Sequence, residues 1–126
     1  MKKSIQTTAA PAAVGPYSQG IQAGQYLFVS GQLPLDPATG AFPKGGIQAQ
    51  TNQSIKNVQA ILQEAGADLI NVIKTTVFLT DMNDFAVVNE IYSSFFKDNP
   101  PARSAVQVVG LPKGAAIEIE VIAYLC

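Results

Sequence analysis

Apolar and polar residues alternate at both ends of the chain and follow a helical period in the middle. Ser4-Ile5-Gln6-Thr7 alternates and predicts a short strand. Ala9 to Pro16 is a Pro/Ala loop, and Gln19 to Ala23 predicts a second strand. Gly24-Gln25 makes a two-residue turn into a third strand, Tyr26 to Leu33, so the pair reads as a hairpin. Ser30-Gly31 interrupts that apolar strand. A glycine there marks a bulge or the close approach of a ligand to the backbone, or else a simple kink. Asp36-Pro37, Thr39-Gly40, Pro43 and Gly45-Gly46 then punctuate a long loop.

From Ile47 to Ala65 the period changes. Thr51, Ile55, Val58, Leu62 and Ala65 recur at helical spacing, with Gln50, Asn52, Gln53, Lys56, Gln59 and Gln63 on the other faces. This predicts a helix of about five turns, with Gly66 placed to cap its C-terminus. Leu69 to Thr80 predicts a strand. Asp81 is positioned to cap a second helix with the stripe Phe85, Val88, Ile91, Tyr92 and Phe95, which Asn99-Pro100-Pro101 ends. Ser104 to Val109 and Ala116 to Leu125 predict two last strands around a turn at Gly110 to Gly114. The order β-β-β-α-β-α-β-β, with no linker or repeat, predicts one α+β domain over residues 1–126, its helices on one face of a sheet.

Composition changes that picture in one respect. Hydrophobic residues make up 48% of the chain and charged residues only 13%, about half the usual charged share. So few charges leave apolar surface uncovered on a domain this small, and an oligomer is expected. A net charge of −1 without a basic cluster argues against nucleic-acid binding. Histidine is absent and Cys126 is the only cysteine, so triads and zinc sites built on histidine, and internal disulfides, are excluded within one chain. No run of apolar residues is long enough to span a membrane, and a cytoplasmic protein is the default. No glycine-rich phosphate loop or other cofactor fingerprint occurs.

The chemistry-bearing candidates are few. Arg103 is the single arginine beside seven lysines, in Pro100-Pro101-Ala102-Arg103-Ser104. Its planar fork can grip a carboxylate bidentately, which lysine cannot do, and the two prolines stiffen its approach. Glu118 and Glu120 share the polar face of the last strand. Glu118 reads as an ordinary solvated glutamate. Glu120 points toward a surface made partly apolar by Ile122, where a carboxylate is either paired or held for use. A tight hairpin of the last two strands would put Arg103 or Ser104 opposite Glu120. Other strand orders, or a subunit boundary, would also bring them together. With Tyr17, Ser30 and Gly31 the set suits hydrolysis of an activated small acid, where water needs orientation and a modest base.

Gly15-Pro16-Tyr17-Ser18-Gln19-Gly20, Ser30-Gly31-Gln32, Lys74 to Leu79, Asp81 to Phe85, Pro101-Ala102-Arg103-Ser104 and Leu111-Pro112-Lys113 through Ile117-Glu118-Ile119-Glu120 resemble the RidA/YjgF (reactive intermediate deaminase) family. The resemblance runs nearly end to end. It implies a chorismate-mutase-like fold with a mixed six-stranded sheet, the last strand lying inside the sheet beside the strand that carries Ser30. It implies a homotrimer with clefts between subunits and no cofactor. The implied reaction is hydrolysis of 2-imino acids such as 2-iminopropanoate and 2-iminobutanoate to 2-keto acids and ammonia. By matching position, Arg103 is expected to bind the substrate carboxylate and Glu120 to orient the attacking water. Tyr17, Ser30, Gly31 and Asn89 are expected to line the cleft, and the Ala105 carbonyl to face substrate. Ala105 stands where cysteine is common, and Pro100 where an aromatic residue is frequent. The exchange at Ala105 is expected to cost little, and Pro100 bears on substrate size. A trimer that senses a small carboxylate without turning it over is the alternative that the same residues allow.

Overall fold

Every second residue of the last strand is driven into the core, and this sets the architecture. The computed structural model describes all residues from Met1 to Cys126. Its strands are β1 (Lys2–Ile5), β2 (Gly20–Ala23), β3 (Tyr26–Gln32), β4 (Val72–Leu79), β5 (Ala102–Gln107) and β6 (Ile117–Tyr124). Its helices are α1 (Gly46–Glu64) and α2 (Phe85–Phe95), and single 3-10 turns precede β4, α2 and β6. The strands form one sheet in the order β1-β2-β3-β6-β4-β5. All neighbours are antiparallel except β4 and β5, which α2 joins as the crossover that a parallel pair requires.

Ile117, Ile119, Val121 and Ala123 of β6 are at most 3% exposed. They meet Leu27 and Val29 of β3, Val77 and Leu79 of β4, and Ile55, Val58, Ile61 and Leu62 of α1 in one cluster. Both helices cover this face of the sheet. The other face stays open, and carries Tyr26, Phe28, Ile73 and Val106 at 42–46% exposure. Single apolar residues on a surface are ordinary, whereas several on one sheet face mark an interaction surface.

The expected fold class and element order are observed, with local shifts. The first strand is Lys2–Ile5, two residues earlier than the alternation predicts. The reason is Gln19, which is 3% exposed and takes Thr7 out of strand geometry. Its Oε1 accepts from the Thr7 amide at 2.7 Å. Its Nε2 donates to the carbonyls of Thr7, Ala10 and Pro11 at 3.0, 3.4 and 2.8 Å. A buried amide satisfied in this way ties down the loop that carries Tyr17. Gly66 caps α1 as expected, at φ 81° with its amide bonded to the Gln63 carbonyl. Asp81 caps the 3-10 turn Met82–Asp84 by accepting from Asn83, and that turn leads into α2. The tight hairpin of the last two strands does not form. β4 lies between β5 and β6, because the all-apolar face of β6 belongs in the centre of the sheet while the largely exposed β5 tolerates the edge.

Gln19→Ala removes the four bonds that hold the loop from Thr7 to Ser18. Unfolding free energy should fall by about 1–3 kcal/mol, with faster amide exchange in that loop. Unchanged exchange there would mean that another contact holds it.

Candidate active site

The first cluster forms where β3 crosses β6. Val29 pairs with Val121 and Gln32 with Ile119, so Ser30 and Gly31 together stand opposite the single residue Glu120. This is a β-bulge, which re-aims side chains and bends the strand. The Ser30 amide donates to the Gln19 carbonyl at 2.9 Å, and its hydroxyl donates to the Ser18 carbonyl at 2.6 Å. The Gln32 side chain donates to the Ser30 carbonyl at 3.1 Å. The bulge is therefore held from both sides. It opens onto a cleft of about 500 Å³ whose walls include Tyr17, Ser30, Gly31, Lys113, Glu118 and Glu120. Lys113 sits at φ 60° in the left-handed region, unusual for a residue with a side chain. Asn57, itself 1% exposed, donates to the carbonyls of Leu33 and Leu35 and fixes the cleft's third wall.

Glu118 departs from its expected solvated state. It is half-buried, whereas Glu120 is exposed. Burial, followed by the repulsion of Glu120, pushes the Glu118 carboxyl above its ordinary value. Its side chain occupies the space beside Gly31: a Cβ on Gly31 would lie 2.6 Å from a Glu118 carboxylate oxygen. The bulge expected at Gly31 is present, and within the chain the side chain that approaches its backbone is that of Glu118.

The second cluster is built on α2 and the edge strand. Arg103 pairs in register with Thr75 of β4, whose side chain is fully buried on the helix side. The Thr75 and Tyr92 hydroxyls are 2.7 Å apart, and this contact pins the Tyr92 ring. The Arg103 guanidinium lies 4.8 Å from the Tyr92 ring centroid and 5.3 Å from that of Phe85. Such stacking contributes about 0.5–1 kcal/mol at an exposed site. Asn89 accepts from Nη1 at 2.7 Å. Burial pushes the Tyr92 phenol up, against the opposing influences of Thr75 and Arg103. Asn89, Tyr92, Pro100, Pro101 and Arg103 line a hollow of about 490 Å³.

The two clusters do not meet within one chain. Thr75 and Thr76 are adjacent on β4, so they face opposite sides of the sheet. Arg103 pairs with Thr75 and Glu120 with Thr76. Arg103 and Asn89 are therefore on the helix side, and Glu120, with the bulge, opens to the other. Tyr17, Ser30, Gly31 and Glu120 come together, Arg103 and Asn89 come together, and Ala105 lines neither hollow. Ala105 sits opposite Val77 and packs against the core. The sequence reading passed over Tyr92, Phe85 and Lys113 as site residues. The helical spacing of Phe85, Asn89 and Tyr92 did hold a signal, since it puts an amide between two rings on one face.

The profile of the family described as Endoribonuclease L-PSP matches residues 7–125. The chain belongs to this family, the RidA/YjgF family. A RutC family protein from Pyrococcus horikoshii is 55% identical, over 98% of both chains. The 2-iminobutanoate/2-iminopropanoate deaminase of Mus musculus is 51% identical, over 98% of this chain and 91% of its own. E. coli TdcF, solved with bound serine, superposes with a TM-score of 0.95 at 47% identity, covering 98% of this chain and 99% of that one. The chain thus carries both site clusters on a backbone shared with proteins of different names.

Two measurements follow from the geometry. Because its folded value lies above the ordinary one, Glu118 holds its proton more tightly in the folded state than in the unfolded state. Ionising it therefore opposes folding, and stability should fall as pH rises from about 4.5 through the folded value. Glu118→Gln should remove that slope in melting temperature. A slope that persists belongs to another group. Separately, Tyr92→Ala should free the Arg103 side chain and weaken any small carboxylate titrated onto it about tenfold or more, whereas Tyr92→Phe keeps the ring and should cost less. Calorimetric titration separates the two.

Proposed function

We propose that this protein hydrolyses small 2-imino acids to 2-keto acids and ammonia, in clefts assembled between copies of the chain in a homotrimer. One observation carries the composite site: Arg103 and Glu120 face opposite sides of one sheet, so a single chain cannot apply both to one small molecule. The half-exposed apolar side chains of the open face, Tyr26, Phe28, Ile73 and Val106, supply the surface for assembly. The mammalian relative named as an imino-acid deaminase and the E. coli relative that holds serine, a small amino acid, support the substrate class.

The chemistry follows from the groups present. The Arg103 guanidinium, held by two rings and an amide, takes the substrate carboxylate as a two-pronged ion pair. This directs the C=N carbon toward the partner copy's bulge. Glu120 orients a water and takes its proton as the oxygen adds to the carbon of the protonated imine. The carbinolamine nitrogen is then protonated, the C–N bond breaks, and the hydroxyl proton leaves as the carbonyl forms. The products are a 2-keto acid and ammonia. No redox step is involved, and orientation supplies most of the rate. The name endoribonuclease, carried by the family, fits this chain less well. A net charge of −1 without histidine gives little with which to hold or cleave an RNA backbone.

Arg103→Ala should lower kcat/KM for freshly generated 2-iminobutanoate by at least about 100-fold while the oligomer stays intact by light scattering. Unchanged turnover would reject the reading. Refolding Arg103→Ala chains together with Glu120→Ala chains tests the shared cleft. Random mixing gives about a quarter of the clefts both native groups, and a corresponding part of the activity should return. No recovery would place both groups in one chain's site. Tight binding of a keto acid without any turnover would make the protein a carboxylate sensor instead.

A further inference from the structure

The carboxylate next to Glu120 remains without a role. Glu118 points from β6 into the same cleft, two residues before Glu120 on the same face of the strand. It lies against the Ser30–Gly31 bulge, in space that any residue but glycine at position 31 would fill. On its other flank β4 offers no charge, since the residue in register is Phe78. The titratable groups around the cleft are Tyr17 from the N-terminal loop, Lys113 from the turn before β6, and Glu120 itself. Lys74 of β4 lies in a separate groove beyond Glu120 and donates to Ser104 at 3.0 Å. No influence that lowers the Glu118 carboxyl opposes its burial and the nearby Glu120.

We propose that Glu118 is a positioning residue of the cleft: its side chain fills the space that the missing Cβ of Gly31 leaves, and so holds the Ser30–Gly31 bulge in the shape that faces Glu120. The inference rests on the imino-acid hydrolase reading. Two carboxylates in one cleft take different roles when their surroundings separate them. Glu120 is exposed and free to accept a proton from water. Glu118 is half-buried and wedged against the backbone of Gly31, where burial and the nearby Glu120 make its carboxyl harder to ionise than a free glutamate's.

The test compares kcat and KM for 2-iminobutanoate in the wild type, Glu118→Gln and Glu118→Ala. Glutamine copies the shape of the side chain and should stay within a few-fold of the wild type. Glu118→Ala leaves the space at Gly31 empty and should lower kcat about tenfold or more with a smaller change in KM. A glutamine variant as impaired as the alanine one overturns the proposal. So does an alanine variant indistinguishable from the wild type. Melting temperatures give a second readout that needs no activity. Gly31→Ala should lower the melting temperature in the wild type and have little effect in the Glu118→Ala background, where the clash is gone. Equal losses in both backgrounds would show that Gly31 does not make room for Glu118. If the wild type does not hydrolyse imines, the hydrolase reading fails by itself, and this stability cycle still reports on the Glu118 contact.

Discussion

The helices cover only one face of a sheet whose central strand has two unlike faces, and most of the molecule follows from that. Ile117, Ile119, Val121 and Ala123 gain by leaving water together, with roughly 25 cal/mol for each square ångström of apolar area. Their burial fixes the register of β6, because a slip of one residue would turn the whole set toward solvent. The same register commits Glu118 and Glu120 to the open side. It also commits Arg103, two strands away on the edge, to the helix side through its pairing with Thr75. The separation of the arginine from the glutamates is therefore a consequence of how the core packs. On the proposed reading, the active unit is larger than the chain.

Each of the two clusters is stiff. Arg103 is held by two rings and an amide, and one of those rings is pinned by a buried hydroxyl pair. The bulge is held by Ser18, Gln19 and Gln32, and the loop over it by the buried Gln19 amide. Such pre-organisation suits a reaction in which little bond chemistry is asked of the protein and geometry matters most. The costs concentrate at the same place. A carboxyl is half-buried against backbone, and a lysine adopts a left-handed conformation at the cleft. Local features that a stability argument would remove are retained where a ligand is expected.

Similarity extends over nearly the whole chain to relatives named deaminase, RutC and endoribonuclease. The fold alone does not choose among these, since one backbone can host several chemistries. The choice comes from charge and residue type: a single clamped arginine, paired glutamates and no histidine. These suit a small organic acid better than a polyanion.

Much of the fold was legible from periodicity. The alternation of Ile117 to Ala123 and the helical spacing from Thr51 to Leu62 reflect one-sided burial, which leaves a direct mark on sequence. The uniqueness of Arg103 and the break at Ser30-Gly31 were visible for the same kind of reason: each is an exception to its surroundings. The strand order was not legible from pattern, because a turn at Gly110 to Gly114 is equally compatible with a hairpin and with a strand inserted elsewhere. The Gln19 staple, the Tyr92 platform and the burial of Glu118 were hidden too. Each depends on which distant residue lies alongside, and hydrophobic period carries no information about that. By itself the sequence determined which faces are apolar and which residues carry chemistry. Only the tertiary structure decided which of those residues share a face, because strand pairing joins positions that are remote along the chain.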